Sequence, residues 1–296
     1  MAPRGGPLLA LVGVTAIWGA TFVLVKDALE LYPLFAFLAV RFAVSTLALA
    51  PFAWAPVRAL PREGIGAGVG LGVLLAAAFG FQTAGLGLTT VASTGFITGL
   101  YVVFTPVIAL LAFGTPVSRS LWLGVGLAVL GLLLLNGAPG GSATGNLLVL
   151  AGAFATALQI AALERFAPRH DVRALTFLQM GTAFVGFAVL ALAAGEVELP
   201  RGWTVWSAIL VTGIFSGALG YLIATWVQAR TTAAQAALVF TLEAPFAALF
   251  GVLLANEVLG WAGWLGCAVM MAGIIVAEPA AARALRALVR RRGTVA

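Results

Sequence analysis

Charge is scarce in this chain. Only 9% of its 296 residues are Asp, Glu, Lys or Arg, against about 25% in ordinary soluble proteins. A water-soluble fold needs polar cover over its core, and a chain with 62% hydrophobic residues and a mean hydropathy of +1.10 cannot supply it. Cysteine is nearly absent: Cys267 stands alone inside an apolar run, which excludes an intrachain disulfide framework or a cysteine-held metal. The one histidine, His170, sits in a charged stretch between apolar runs, and no GxSxG element occurs, which argues against a serine hydrolase. Asp27 and Asp171 both fall outside the apolar runs, so an intramembrane aspartyl dyad is missing too. No cofactor is expected, and the chain reads as a non-enzyme. Long polar segments are also lacking. Ten membrane helices of about 20 residues each would leave roughly 96 residues for loops and tails, too few for an ATP-hydrolysing cassette, a kinase or a DNA-binding module.

What remains is an all-α integral membrane protein. Hydropathy, broken at charges and at Pro and Gly clusters, gives ten spans at about 7–25, 34–54, 65–85, 91–113, 120–136, 146–163, 174–194, 204–226, 233–254 and 260–277. The third and fourth are divided only by Leu88-Thr89-Thr90. A barrel would instead show alternating segments of about ten residues. The first stretch is long for a signal-peptide core and lacks a small-residue cleavage site before Lys26, so it reads as a retained helix. With the N-terminus inside, the inner segments hold thirteen arginines and the outer loops only Lys26 and Arg201. Both termini are therefore expected in the cytoplasm. The net charge of +6 and pI near 10.7 reflect this loop bias; no nucleic-acid partner is expected. Fifteen arginines against one lysine, with abundant Ala and Gly, suggest a GC-rich bacterial genome and hence a bacterial cytoplasmic membrane. Arg283, Arg286 and Arg290 share one helical face in the tail, suited to anionic headgroups of the lipid bilayer.

The halves resemble each other at a separation of about 140 residues. Trp122-Leu123-Gly124 recurs as Trp264-Leu265-Gly266, with Gly131 and Gly273 seven residues further on; Phe104-Thr105-Pro106-Val107 matches Glu243-Ala244-Pro245-Phe246, and Phe37-Leu38 matches Phe177-Leu178. Five spans per half is an odd number, so the second half enters the membrane from the opposite side. The expected organisation is two inverted five-helix repeats, residues 1–140 and 141–278, followed by a basic cytoplasmic tail over 279–296. Inverted repeats are common in secondary transporters, with the solute held near midplane where the halves meet.

These residues also carry a family resemblance. Ile17-Trp18-Gly19-Ala20-Thr21-Phe22 with Lys26, then Pro33 and Arg41-Phe42, resembles the opening helix pair of the drug/metabolite transporter superfamily. Thr241-Leu242-Glu243-Ala244-Pro245-Phe246, followed by Asn256-Glu257 and the Gly266/Gly273 helix, is similar to the close of its EamA-type repeat. The resemblance covers nearly the whole chain and implies a ten-helix exporter of small metabolites, amino-acid exporters being a prominent branch. An acid near Glu257 usually has a first-half counterpart in that pattern; here Thr115 or a neighbour stands there.

Polar and aromatic groups deep in spans are the candidates for function. Arg41, about 10 Å into the second span by helix rise, either snorkels or finds a structural partner, or else attracts a substrate carboxylate. Glu243, near the centre of the ninth span, must be protonated, paired or open to a wet cavity, which makes it a candidate for coupling to protons as well as for solute contact. Trp18 is the one tryptophan that an interfacial belt does not explain, and its indole N–H needs an acceptor. With Phe22, Gln82, Thr98, Tyr101, Gln159, Tyr221 and Glu243 it makes up the candidate cavity lining, each residue also open to an ordinary helix-packing role. Pro106 and Pro245 occupy related positions and are candidate hinges or static kinks. Gly64, Gly66, Gly68, Gly70 and Gly72 form a small-residue strip for close packing, while Gly124/Gly131 and Gly266/Gly273 suit helix contacts or a homodimer interface. The expected function is a secondary transporter exporting small metabolites, amino acids foremost, by alternating access. An exporter of drugs, sugars or nucleosides in the same fold is the alternative, with a membrane assembly subunit or an intramembrane enzyme far behind.

Overall fold

The computed structural model describes residues 5–137, 140–254 and 258–277, except for the side chains of Phe22, Val23, Lys26, Asp27, Val91, Ala92 and Leu254. Asn256, Glu257 and the basic tail over 279–296 lie outside the described residues. Among those described, every regular element is helical: α1 (Gly5–Leu29), α2 (Leu34–Arg58), α3 (Arg62–Leu86), α4 (Val91–Gly99), α5 (Tyr101–Phe113), α6 (Arg119–Asn136), α7 (Ala143–Phe166), α8 (Val172–Ala194), α9 (Trp203–Val211), α10 (Tyr221–Gln228), α11 (Ala233–Phe240), α12 (Glu243–Leu254) and α13 (Trp261–Ala277). A π-helical segment, Thr212–Gly220, joins α9 to α10. Running α4 into α5, α9 into α10 and α11 into α12 leaves ten rods. Eight are long and apolar enough to cross a membrane, and the described parts of the first and last are shorter apolar helices. The largest departures from the hydropathy boundaries are four residues, at Leu29 and Arg58. The chain is a multi-pass membrane protein.

Local chemistry sets where the rods start and stop. Hydroxyls or a carboxylate cap α4 (Thr90), α6 (Ser118), α7 (Ser142) and α8 (Asp171), each accepting a backbone N–H of the first turn. Thr232 and Gln235 form a reciprocal capping box on α11. Gly114 and Gly195 end α5 and α8 in the left-handed region, at φ 67° and 72°, where a Cβ is disfavoured. The turn at Leu88-Thr89-Thr90 does divide α3 from α4.

The rods pack through small residues and a layer of phenylalanines. α2 lies along α8, α3 along α7 and α8, α6 along α13, and α1 along α12 and the α9–α10 rod. The α4–α5 rod rests on α7, so each pairing has a counterpart when the halves are exchanged rod for rod. Phe37, Phe42 and Phe187 are fully buried between α2 and α8, with Phe42 stacked on Phe187 at 5.5 Å. A Cβ on Gly68 or Gly72 would strike Leu178 or Thr182, so the strip on α3 is what admits α8; Gly66 and Gly70 point into open space. Gly124 and Gly131 meet the backbone of Gly273 and Gly266 reciprocally. The homodimer alternative for these four glycines is thereby corrected: they are consumed within one chain by the α6–α13 contact.

The outer surface is apolar, with Leu47, Phe52, Leu111, Val185 and Leu192 exposed, as contact with hydrocarbon requires. Trp54, Trp122, Trp203, Trp206, Trp226, Trp261 and Trp264 are all exposed near rod ends, forming the expected belt. Arg58 and Arg230 lie over the rings of Trp54 and Trp226, at 4.8 and 4.5 Å.

Candidate substrate cavity

Trp18 projects from α1 into the junction of the two halves. Its indole N–H donates to the carbonyl of Ser216 in the π-helical segment at 3.1 Å, which supplies the acceptor that its depth demands. Its ring stacks on Phe240 at 5.3 Å and tilts against Tyr221 at 5.2 Å. The indole fits because Gly220 has no side chain: a Cβ there would come within 2.8 Å of Nε1. Gly213 and Gly217 admit α2 on the same segment, and Ser45 donates to the Gly213 carbonyl at 2.8 Å.

Trp18, Tyr101, Gln159, Tyr221 and Glu243 line one cavity of about 60 Å³, completed by Ile160, Leu163, Ala224, Gln228 and Phe240. Its walls come from α1, α5, α7, α10, α11 and α12, and so from both halves. A water needs about 10–15 Å³ by this measure, so the cavity has room for a few waters. Glu243 accepts no hydrogen bond and makes no ion pair among the described residues. Arg41 and the phenols of Tyr101 and Tyr221 lie within electrostatic range of it.

Other sequence candidates stand elsewhere. Arg41 is buried with 7% exposure and does not line the cavity. Its Nη2 donates to the Ser216 hydroxyl at 3.3 Å, its guanidinium lies over Phe42 and Phe79 at 5.7 and 5.5 Å, and its Nε has no partner. Ser216 thus gives Arg41 a structural partner, while Glu243 lies within electrostatic range. Gln82 and Thr98 do not line the cavity either: Gln82 Nε2 donates to Thr98 Oγ1 at 3.0 Å, binding α3 to α4. Phe22 lies outside the residues whose side chains are described. The chain breaks upstream of both candidate hinges, at Leu100 before Pro106 and at Thr241-Leu242 before Pro245. For Pro245 the reason is direct, since its ring clashes with the carbonyl four residues earlier, that of Thr241.

Two carboxylates hold helix starts at opposite ends of the bundle. Glu164, at the end of α7, accepts the Ala233 N–H of α11 at 2.8 Å and the Thr115 hydroxyl at 3.2 Å. Glu196 accepts the N–H groups of Phe35 and Ala36 at the start of α2, at 2.7 and 3.1 Å. Beside it the Tyr32 hydroxyl donates to the Glu198 carbonyl. Burial, followed by the charges of Glu198 and Glu196, holds that phenol above its ordinary pKa. Hydropathy gave no signal for Gln228 and Phe240 as cavity residues; their place follows from long-range packing.

The EamA-like transporter family model matches residues 5–137 and 143–277, nearly the whole chain. The chain belongs to the EamA-like transporter family. A protein of Archaeoglobus fulgidus described as an uncharacterized transporter is 31% identical over 271 residues, covering 90% of this chain and 84% of that one. The uncharacterized transporter YcxC of Bacillus subtilis is 26% identical over 289 residues, covering 90% and 91%. A solved crystal structure superposes with a TM-score of 0.81 at 20% identity, covering 95% of this chain and 99% of that one; at that identity the likeness concerns the fold.

Proposed function

We propose that this EamA-like transporter is a secondary exporter of small metabolites, amino acids foremost, working by alternating access between two inverted repeats, residues 1–140 and 141–278. The cavity bounded by Trp18, Tyr101, Gln159, Tyr221 and Glu243 is its solute site. The observation that carries this reading is Glu243: a carboxylate inside a membrane protein, facing a cavity between the halves, without a fixed partner. Such a group is costly unless it serves a changing partner, and a proton or a solute cation supplies one. The matched pairings of rods support the inverted repeats. The arginine asymmetry supports cytoplasmic termini in a bacterial cytoplasmic membrane.

The test is flux into liposomes containing only this protein, over a panel of amino acids, sugars and nucleosides, with and without a pH gradient. Saturable uptake of amino acids, accelerated by the gradient, is the expected result. Absence of flux for every solute would overturn the reading.

A further inference from the structure

Side-chain oxygens without hydrogen-bond partners line the cavity. Gln179 donates its amide to the Leu175 carbonyl at 3.3 Å, which fixes which end of that side chain is the acceptor. Its Oε1 then accepts the Gln159 amide at 2.9 Å. The relay commits the N–H end of Gln159, and nothing among the described residues donates to its Oε1. Gln228 is 3% exposed, lines the same cavity, and its Oε1 has no partner. Glu243 adds two carboxylate oxygens without a donor. Trp18, the one indole present, has already given its N–H to Ser216. Among the described residues no lysine, arginine or histidine lines the cavity; Arg41 contacts Ser216 and two phenylalanine rings instead.

Unpartnered side-chain oxygens, one carboxyl group and aromatic faces from Trp18, Tyr101, Tyr221 and Phe240, with only the neutral O–H and N–H groups of Tyr101, Tyr221 and Gln228 as donors, describe a complement to an ammonium group. A cation over such rings is attracted by their negative faces, and its N–H groups satisfy buried oxygens that are otherwise costly to leave unmade. A solute carboxylate finds no cation among the described lining residues and would meet Glu243.

We propose that this cavity is a cation-selective amine site, with Glu243 as counter-charge and the side-chain oxygens of Gln159 and Gln228 as acceptors for the ammonium N–H groups. Amino acids enter by the same ammonium contact, and their amines and amides bind more tightly than the zwitterions. The inference rests on the cavity being the solute site and names the group recognised there.

The experiment is calorimetric titration of the full chain in detergent with 2-phenylethylamine, phenylalanine amide, phenylalanine and 3-phenylpropionate. The first two should bind about tenfold or more tightly than phenylalanine, the size of one charge-assisted contact, and 3-phenylpropionate should not bind. Phenylalanine binding as tightly as its amide, or any saturable binding of 3-phenylpropionate, would overturn the proposal. Glu243→Gln should weaken both amines by about tenfold; unchanged affinity would also overturn it. Gln228→Leu should weaken the primary amine but not trimethyl(2-phenylethyl)ammonium, which has no N–H to give; equal losses would remove Gln228 from the site. The wild-type ranking decides even where a variant fails to fold. Amine binding in this order without flux in liposomes would sink the transport reading and leave the amine site standing, whereas flux with the reverse order would do the opposite.

Discussion

Trp18 and Ser216 are 198 positions apart in the chain, yet the indole of one donates to the main-chain carbonyl of the other at 3.1 Å. Ser216 also receives Arg41 on its hydroxyl, so one residue of the π-helical segment ties down both α1 and α2. Trp18→Phe keeps a ring against Phe240 and Tyr221 but removes the donor. It should cost about 0.5–1.5 kcal/mol, read as a lowered Tm in detergent. Trp18→Ala should in addition weaken large apolar solutes more than small polar ones. Equal loss across a solute panel would argue against Trp18 as a cavity wall.

Glu243→Gln should flatten the pH dependence of transport, because the variant keeps the shape and loses the titrating group. Arg41, Tyr101 and Tyr221 are the other ionisable groups in range, so the comparison needs Tyr101→Phe and Tyr221→Phe as controls. A profile identical to wild type would leave Glu243 a structural residue.

Gly131→Ala should destabilise the protein by about 1–3 kcal/mol, the usual cost of overpacking, since its Cβ would lie 2.6 Å from the Gly266 carbonyl oxygen. Gly126→Ala, whose Cβ meets open space, should be tolerated. Comparable Tm losses for both variants would show that α6 and α13 are not held by this contact.

The hydropathy pattern marks all ten rods, because a span must be apolar around most of its circumference. The depth of Trp18, Tyr101 and Glu243 is likewise readable in one dimension. What a linear pattern does not carry is azimuth and partner. Arg41 reads as a packed cation or a solute anchor, and its contacts with Ser216 and Phe79 lie outside what a linear pattern carries. Gln82 and Gln159 look alike in sequence, yet one is spent on Thr98 and the other lines the cavity. Gln228 falls at the edge of its span and reads as a boundary residue, although the turn of the rod carries it inward.

Asp171 caps α8 and pairs with Arg173 at 2.7 Å. The hydrogen bond from the Arg173 side chain, outweighing partial burial, holds its carboxyl below the ordinary value. A carboxylate with a lowered folded pKa contributes stability above its unfolded pKa and loses it as pH falls through the folded one. Asp171→Ala should therefore cost about 1 kcal/mol at neutral pH, typical of a lost N-cap. The gap to wild type should close below about pH 4, as followed by thermal unfolding across pH. A gap that persists at low pH would assign the loss to packing instead.

Glu164→Ala strands the Ala233 N–H and the Thr115 hydroxyl at one end of the bundle. A hydrogen bond to a charged group contributes about 1.5–3 kcal/mol, so hydrogen exchange at the start of α11 should quicken while the start of α2, held by Glu196, stays protected. Quickening at both ends would mean global loosening.

The π-helical segment has a geometric effect beyond anchoring. Each α-helical residue turns the chain by about 100°, and a π-turn takes up about one residue more than an α-turn. Residues after Gly220 are therefore out of phase with those before Thr212. Tyr221, Ala224 and Gln228 owe their inward azimuth to that phase slip. An uninterrupted α-helix of the same sequence would aim them in a different direction from its first half onward. The cavity is thus shaped as much by a local change of winding number as by the identity of the side chains around it.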